Sequence, residues 1–346
     1  ARTLIEATSM PMSDIAFAAG FSSIRQFNDT FRAMYSISPR QLRKAGAEHS
    51  VADELVLRLA YRPPFDFAHL LEYLAVRAVT GIEDVSDDAY TRSMRLAHGP
   101  AVITVRQGAG DFVDCRLRLA DTRDLGSAVA RVRRLLDLDA DPEAIAETLR
   151  SAGLRSLVDE YQGIRSPGSS DSVELALRTV LGQQISLAAA RTHLERLVAQ
   201  TGEPLPKEMV LGRVDRVFPT ADAITAVPAS DWALPASRIR TIHALSVALA
   251  DGSVDLGAGS DREEASRNLL ALPGIGPWSN GYIRMRALGD PDVFMDSDLG
   301  VKKALAELDE TSETSADWKE IAMNCSPWRS YLTHLLWAHH ARSTTN

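Results

Sequence analysis

Two short segments of the sequence carry residue types that suit chemistry on a nucleic acid. The first, Leu272–Gly276, places two glycines around one apolar residue, and the second contains the carboxylate of Asp298. Glycines let a turn approach another backbone closely with its amide N–H groups pointing outward, and a DNA phosphate needs such donors without steric bulk. The sequence therefore predicts a hairpin that grips phosphate through Gly274, Ile275 and Gly276, beside an acid that could act on the sugar of a nucleotide.

The same glycines also suit a plain helix C-cap followed by a loop, which is the ordinary interpretation of an isolated match. Helical patterns on both sides of the turn favour a hairpin between two helices. Leucines end one apolar pattern before the turn, and Trp278, Tyr282, Met285 and Leu288 recur at helical spacing after it. A helix is therefore predicted to begin at the turn.

This arrangement resembles the helix-hairpin-helix DNA glycosylases and, within them, the 3-methyladenine DNA glycosylase II (AlkA) type. Three further segments follow the order of that family: Arg62–Asp66 near its first strand, Leu181–Ser186 as the part that inserts into the DNA stack, and Pro327–Tyr331 in its closing helix. The resemblance covers about residues 51 to 342. It implies a DNA glycosylase whose hairpin binds DNA and whose downstream Asp is essential.

The resemblance places the catalytic carboxylate at Asp298 and a pocket for the extruded base at Tyr73, Trp278, Tyr282 and Trp337. Departure of a base leaves positive charge on the sugar, which a carboxylate beside C1′ stabilises while it orients or deprotonates the attacking water. Electron-rich rings attract alkylated purines, which are cationic. The structural alternatives are a helix N-cap for the acid and ordinary core packing for the aromatic residues.

Gln183 and Gln184 are similar to the family's wedge, which fills the gap left by the extruded nucleotide. Gln184 stands where the AlkA type has an apolar side chain, so its amide could hydrogen-bond the orphaned partner base. The alternative is a polar helix end. Leu299 and Gly300 stand where the family has bulkier residues after its Asp, which leaves the exact base preference open.

The resemblance also implies the type of nucleophile. Glycosylases with lyase activity carry a Lys shortly after the hairpin that forms a Schiff base, whereas Trp278 stands there in this chain. Water is therefore the expected nucleophile, no strand nicking is expected, and no cofactor is required. A monovalent cation at the hairpin, held by backbone oxygens of Leu270, Leu272 and Ile275, rests on the resemblance only.

Residues 1 to 46 predict a helix-turn-helix. Two short helical patterns flank Gly20, and the second exposes Arg25 and Gln26, which suit groove and phosphate contacts. The segment resembles the second half of an AraC-type DNA-binding domain, with a small helical bundle as the alternative. Because the sequence opens without Met inside a helical pattern, we expect a fragment of a longer regulator and repair-enzyme fusion, without its methyl-accepting module.

The chain as a whole predicts an α+β fold that is mainly α. Residues 51 to 125 show period-two alternation, which predicts a small antiparallel sheet covered by a helix over 67–79. Residues 126 to 342 predict the helical glycosylase region. Its helices are expected over 171–182, 186–200, 221–227, 238–250, 261–271, 278–288, 298–308 and 328–341.

Composition limits the setting in which the protein works. The 346 residues carry a net charge of −8, so only a local face can be basic enough to bind DNA. Cys115 and Cys325 are too few for a disulfide framework or a four-Cys cluster, and no apolar run is long enough to span a bilayer. We therefore expect a cytoplasmic, nucleoid-associated protein that needs double-stranded DNA with alkylated bases, no membrane and no obligate protein partner.

Three functions are compatible with these patterns. The first is a monofunctional DNA glycosylase that flips alkylated bases of the 3-methyladenine type out of duplex DNA and hydrolyses the N-glycosidic bond, which initiates base excision repair. The second is a non-enzymatic DNA-binding transcription regulator, supported by the helix-turn-helix. The third is a bifunctional glycosylase with lyase activity.

Overall fold

The computed structural model describes residues 5, 11–35, 38–40, 54–86, 88–311 and 317–343. Helices dominate, and one five-stranded antiparallel sheet lies in the first half of the chain. The predicted α+β fold with mainly α content is therefore confirmed. Across the described ranges, no helix combines the length and apolar character that a membrane crossing requires.

The N-terminal region contains two short helices, α1 (Met12–Ala18) and α2 (Ile24–Tyr35). Gly20 adopts φ +82° between them, a conformation that favours glycine, so the turn lies where the sequence predicts it. Phe27 and Phe31 pack into a small core with α1. Their spacing also predicts a buried Ile24, but this first residue of α2 is 41% exposed.

The sheet has the strand order β1-β5-β4-β3-β2. Its strands are β1 (Leu55–Ala60), β2 (Glu83–Ser86), β3 (Ala89–Leu96), β4 (Gly99–Gln107) and β5 (Phe112–Leu119). The alternating patterns predict β1, β4 and β5. They miss β2 and β3. The sequence of β2 looks like an acidic surface run, although Glu83 is buried.

Two helices cover one face of the sheet, α3 (Phe67–Ala75) and α4 (Leu125–Leu136). The first ends short of the predicted residue 79, and Val79 instead joins a helical core. The second helix starts near residue 125, where the boundary between the two regions is predicted, and it contributes its apolar face to the core of the sheet. The division into regions 51–125 and 126–342 stays a prediction.

The rest of the chain is helical apart from a short ribbon of β6 (Glu203–Pro204) and β7 (Arg216–Val217). Its helices are α5 (Pro142–Ser151), α6 (Arg155–Glu160), α7 (Ser172–Leu181), α8 (Leu187–Thr201), α9 (Ala221–Thr225), α10 (Ala236–Ala250), α11 (Arg262–Leu270), α12 (Pro277–Ala287), α13 (Leu299–Thr311), α14 (Trp318–Asn324) and α15 (Arg329–Ser343). The predicted helices begin and end within three residues of these bounds. The sequence patterns miss α4, α5, α6 and α14.

Helix α12 lies on the border between two helical cores. Ile283 and Ala287 belong to the core formed with α7, α10 and α11. Met285 belongs to the core formed with α13 and α15, and Trp278 and Tyr282 pack partly against that second core. The helix that follows the glycine hairpin therefore presents its aromatic residues at the seam between the two cores.

A buried network of four charges joins the sheet to helix α7. Arg92 on β3 lies 2.7 Å from Glu174 and 3.4 Å from Glu83, and Arg178 lies 2.8 Å from each of these carboxylates. The hydroxyl of Tyr90 also donates to Glu83. Since each acid faces two guanidinium groups, the charges balance within the network, and removal of one would leave a buried charge uncompensated.

We expect Glu83→Gln to lower the free energy of unfolding by about 3 kcal/mol, because two buried guanidinium groups would then share one carboxylate. Urea titration followed by circular dichroism measures this loss. The matched control is Asp114→Asn, which removes the exposed ion pair between Asp114 and Arg58, whose charged atoms lie 3.9 Å apart. This substitution should lower the free energy of unfolding by less than about 1 kcal/mol. Equal effects of the two substitutions would contradict a special role for the buried network.

Candidate active site

The carboxylate of Asp298 is held by three N–H donors from three places in the fold. The indole Nε1 of Trp337 on α15 donates to Oδ1 at 2.8 Å, and the indole Nε1 of Trp278 on α12 donates to Oδ2 at 2.9 Å. The amide of Val301 donates to Oδ1 at 3.1 Å. Asp298 therefore caps α13, as the structural alternative predicts, and also lines a cavity beside this helix.

Indole N–H groups can only donate, so the two tryptophans determine which way the carboxyl group faces. One comes from the helix after the hairpin and the other from the last described helix, with Asp298 between them. The oxygens keep further lone pairs for a water or a sugar. The arrangement thus presents an oriented acceptor at the edge of a cavity.

The aromatic side chains form one wall of this cavity, which has a volume of about 500 Å³. Trp278 and Tyr282 stack with ring centroids 5.4 Å apart and an interplanar angle of 12°. Trp337 lies 6.2 Å from Tyr282 at an angle of 46°. The structure therefore brings these three predicted pocket residues together beside Asp298.

Tyr73, the fourth predicted pocket residue, lies behind this wall. It is 9% exposed, and within the described part of the chain it is not among the residues that line the cavity. Its ring lies 3.7 Å below the guanidinium of Arg77 and 5.5 Å from the ring of His334. Tyr73 therefore supports the aromatic wall from within the core.

Arg286, a cation that the sequence patterns do not predict, is buried at the floor of the cavity. Its guanidinium donates to the hydroxyls of Tyr73 and Tyr282, and to the backbone oxygens of Pro167 and Gly168. These partners are neutral, and among the described residues no carboxylate forms an ion pair with it. Since Arg286 follows Tyr282 by four residues, the helical spacing could have revealed that both share one face.

The guanidinium groups change the titration of their neighbours. Burial opposes ionisation of Tyr282, but Arg286 and Arg77 outweigh it and lower the pKa of Tyr282 to about 8. Burial raises the pKa of Tyr73 to about 12. Burial and the same two cations lower the pKa of His334 well below its ordinary value, so this ring is neutral at pH 7. The interior side of the wall is therefore electropositive.

The glycine hairpin has the geometry that the sequence predicts. Gly274 adopts φ +81°, and a Cβ there would lie 2.1 Å from Oγ1 of Thr241 on α10, so only glycine fits. Ile275 is 5% exposed and anchors the turn in the core. Gly276 precedes α12, whose N-terminus has no side-chain cap. The first amides of the helix are thus available to an anion.

The two glutamines between α7 and α8 differ in their surroundings. Gln184 is exposed and has φ +57°, with its Oε1 3.5 Å from Nη2 of Arg238. Gln183 is half-buried, and its Nε2 donates to the oxygen of Gly274 at 3.0 Å and to Oγ of Ser279 at 2.8 Å. Of the two glutamines, Gln184 therefore has the exposed side chain that is expected of a wedge.

Comparison with known proteins identifies the family. The chain is 45% identical over 349 residues to a Mycobacterium tuberculosis protein named "Probable bifunctional transcriptional activator/DNA repair enzyme AlkA", which covers 97% of this chain and 68% of that protein. The chain belongs to the AlkA family. A second relative, DNA-3-methyladenine glycosylase 2 of Escherichia coli, is 29% identical over 81% of this chain and 95% of its own length.

Family models agree with this AlkA assignment along the chain. An AlkA N-terminal domain matches residues 56–171, and a helix-turn-helix domain matches residues 1–45. The fold is shared with a solved 3-methyladenine DNA-glycosylase from Archaeoglobus fulgidus, with a TM-score of 0.71 and 17% identity over 84% of this chain and all of that one. These matches confirm the predicted resemblance to helix-hairpin-helix glycosylases, the N-terminal helix-turn-helix and the expectation of a glycosylase enzyme.

Gly300 allows Trp337 to reach the carboxylate. A Cβ at this position would lie 3.1 Å from Asp298 Oδ1 and 3.1 Å from Trp337 Cδ1, beside the hydrogen bond that joins them. We expect Gly300→Ala to slow base release from methylated DNA roughly tenfold, because the indole must shift. The melting temperature should not fall, because Ala stabilises a helix relative to Gly.

The matched control is Gly126→Ala. Gly126 is likewise the second residue of a helix, and a Cβ there has nothing within 4 Å. Single-turnover base release should remain at the wild-type rate in this variant. If both glycine variants retain wild-type rates, contact at Gly300 does not control the orientation of Trp337.

Proposed function

We propose that this AlkA-family chain is a monofunctional DNA glycosylase that flips alkylated bases out of double-stranded DNA and hydrolyses their N-glycosidic bonds. The observation that carries the proposal is the carboxylate of Asp298, which two indole N–H groups orient at the edge of an aromatic cavity. The glycine hairpin begins the same helix that supplies Trp278, so the strand grip and the carboxylate share one support.

Charge moves during cleavage of an alkylated purine nucleotide. The positive charge starts on the base and appears on the sugar as the bond breaks. Asp298 supplies a negative group for the sugar, and buried Arg286 supplies a positive group below the aromatic wall. A fixed positive charge on the side of the base and a fixed negative charge beside the sugar favour movement of positive charge from the base to the sugar in the transition state.

The aromatic wall supports the proposal that the extruded base is an electron-poor, alkylated one. Stacked Trp278 and Tyr282, with Trp337 beside them, offer π faces that attract a cationic ring. The cavity of about 500 Å³ is large enough for a purine with an alkyl group, and such pockets bury most of their ligand. The 3-methyladenine named for the relatives is the first base to test.

Water is the nucleophile in this proposal. Trp278 occupies the position of the Schiff-base lysine in the lyase subgroup, and among the described residues that line the cavity none is a lysine. The carboxylate of Asp298 can orient a water through the lone pairs that the indoles leave unused. Hydrolysis then leaves an abasic site with an uncut strand.

A monovalent cation at the hairpin fits the donor set. Its ligands would be the backbone oxygens of Leu270, Leu272 and Ile275, which are hard neutral donors. The oxygen of Leu272 accepts from the amide of Ile275 at 3.3 Å, which leaves a second lone pair for an ion. A bound cation would neutralise charge on a DNA phosphate at the turn.

Operator binding through the helix-turn-helix is a second candidate function. The side chain of Arg25 is 93% exposed on α2, and Gln26 is exposed next to it, although its Oε1 accepts from Ser22. Exposed polar side chains on a second helix suit contacts with a groove. A DNA-binding function of this kind would add to the glycosylase and would not replace it.

We expect Asp298→Asn to reduce release of 3-methyladenine from methylated duplex DNA by a factor on the order of 100, because the cationic sugar loses its negative partner. Chromatography of released bases under single-turnover conditions measures the rate. The matched control is Asp296→Asn, two residues away and exposed, which should keep the wild-type rate. Full release by Asp298→Asn would show that another group carries the reaction.

Borohydride should trap no covalent complex between the wild-type protein and damaged DNA, since no lysine stands among the described residues that line the cavity. Denaturing gel electrophoresis of the protein with labelled DNA detects such an adduct. A known lyase incubated in parallel provides the positive control. A trapped adduct would favour the bifunctional alternative, and absence of any base release would leave only the regulator function.

A further inference from the structure

Gln183 forms a hydrogen-bonded link between the wedge turn and the glycine hairpin. It follows Gly182, the C-cap of α7, and its Nε2 reaches Gly274 and Ser279, which lie 91 and 96 residues further along the chain. The oxygen of Gly274 can only accept a hydrogen bond, so the amide nitrogen of Gln183 must face it. Both N–H groups of this amide are thereby used inside the protein.

The hairpin end of this link is rigid. Gly274 is confined by Thr241, and Ile275 is fixed in the core. Ser279 lies in the first turn of α12 and is 3% exposed. A side chain bonded to both Gly274 and Ser279 therefore takes its position from the hairpin and from α12 together.

The wedge end of the link is held in a costly conformation. Gln184 has φ +57°, which is disfavoured for a residue with a side chain and persists only when the surroundings impose it. Ser186 caps α8 immediately afterwards, through its Oγ and the amide of Ala189. Gln183 on one side, this cap on the other and the contact of Gln184 Oε1 with Arg238 Nη2 at 3.5 Å hold the exposed residue in place.

We propose that Gln183 is a positioning residue that makes the wedge turn and the hairpin one rigid unit, so that gripping the strand and inserting Gln184 occur together. This inference rests on the proposed glycosylase function. The residue acts on extrusion of the damaged nucleotide and not on cleavage of the bond, because its amide faces the hairpin and lies outside the group that orients Asp298.

The test compares a damaged base that must be extruded with one that is already unpaired. Gln183→Met keeps the length of the side chain and removes both hydrogen bonds. Single-turnover release of 7-methylguanine is measured from a fully paired duplex and from a duplex in which the same nucleotide lies in a bulge. We expect the rate to fall roughly tenfold for the paired substrate, from the loss of two hydrogen bonds, and to stay within about threefold for the bulge.

Two controls keep the result specific. Gln162→Met alters an exposed glutamine whose Nε2 donates only locally, to the oxygen of Asp159 at 3.2 Å, and should change neither rate. Ser279→Ala removes one of the two acceptors and should produce a smaller loss, again confined to the paired substrate. If Gln183→Met fails to fold, as judged by circular dichroism, Ser279→Ala decides the question alone.

Equal loss on both substrates, or no loss on either, would overturn the positioning role. These outcomes differ from failure of the proposed function, in which the wild-type protein releases no base from either substrate. Pre-steady-state fluorescence of 2-aminopurine next to the damaged base adds a direct readout. A slower rise in Gln183→Met, with an unchanged subsequent cleavage step, supports the coupling; an unchanged rise contradicts it.

Discussion

The hydrogen bonds from two indoles to one carboxylate are the interaction on which the arrangement of this site depends. Trp278 belongs to the helix that begins at the glycine hairpin, and Trp337 belongs to the last described helix. Asp298 caps a third helix between them. Three helices therefore converge on one acidic group, and any movement of the hairpin helix relative to the other two must alter the direction in which the carboxylate points.

The charged residues around the site are of two kinds, those that neutralise one another and one cation without a contacting anion among the described residues. Glu83, Arg92, Glu174 and Arg178 neutralise one another and secure the sheet to α7 along one side of the cavity. Arg286, in contrast, is satisfied by hydroxyls and carbonyls, so its field is not cancelled by a contacting anion among the described residues. The first set secures the fold, and the second leaves a potential across the aromatic wall that the reaction can use.

The sequence predicts the features that depend on local spacing. Gly274, Trp278 and Tyr282 follow from turn and helix periodicity, and the assignment of Asp298 follows from the family resemblance. What it misses depends on partners far away in the chain: Glu83 looks like a surface acid until Arg92 and Arg178 are placed beside it. Gln183 likewise looks like part of the wedge in the sequence, because its bond to Gly274 exists only in the folded chain.

The position of Trp337 has a consequence for biosynthesis. Asp298 and Trp278 leave the ribosome well before α15, so the carboxylate initially lacks one of its two indole donors. Until Trp337 is in place, Trp278 and the amide of Val301 are the donors that hold Asp298. The orientation of the carboxylate is therefore complete only after α15 has folded against α13.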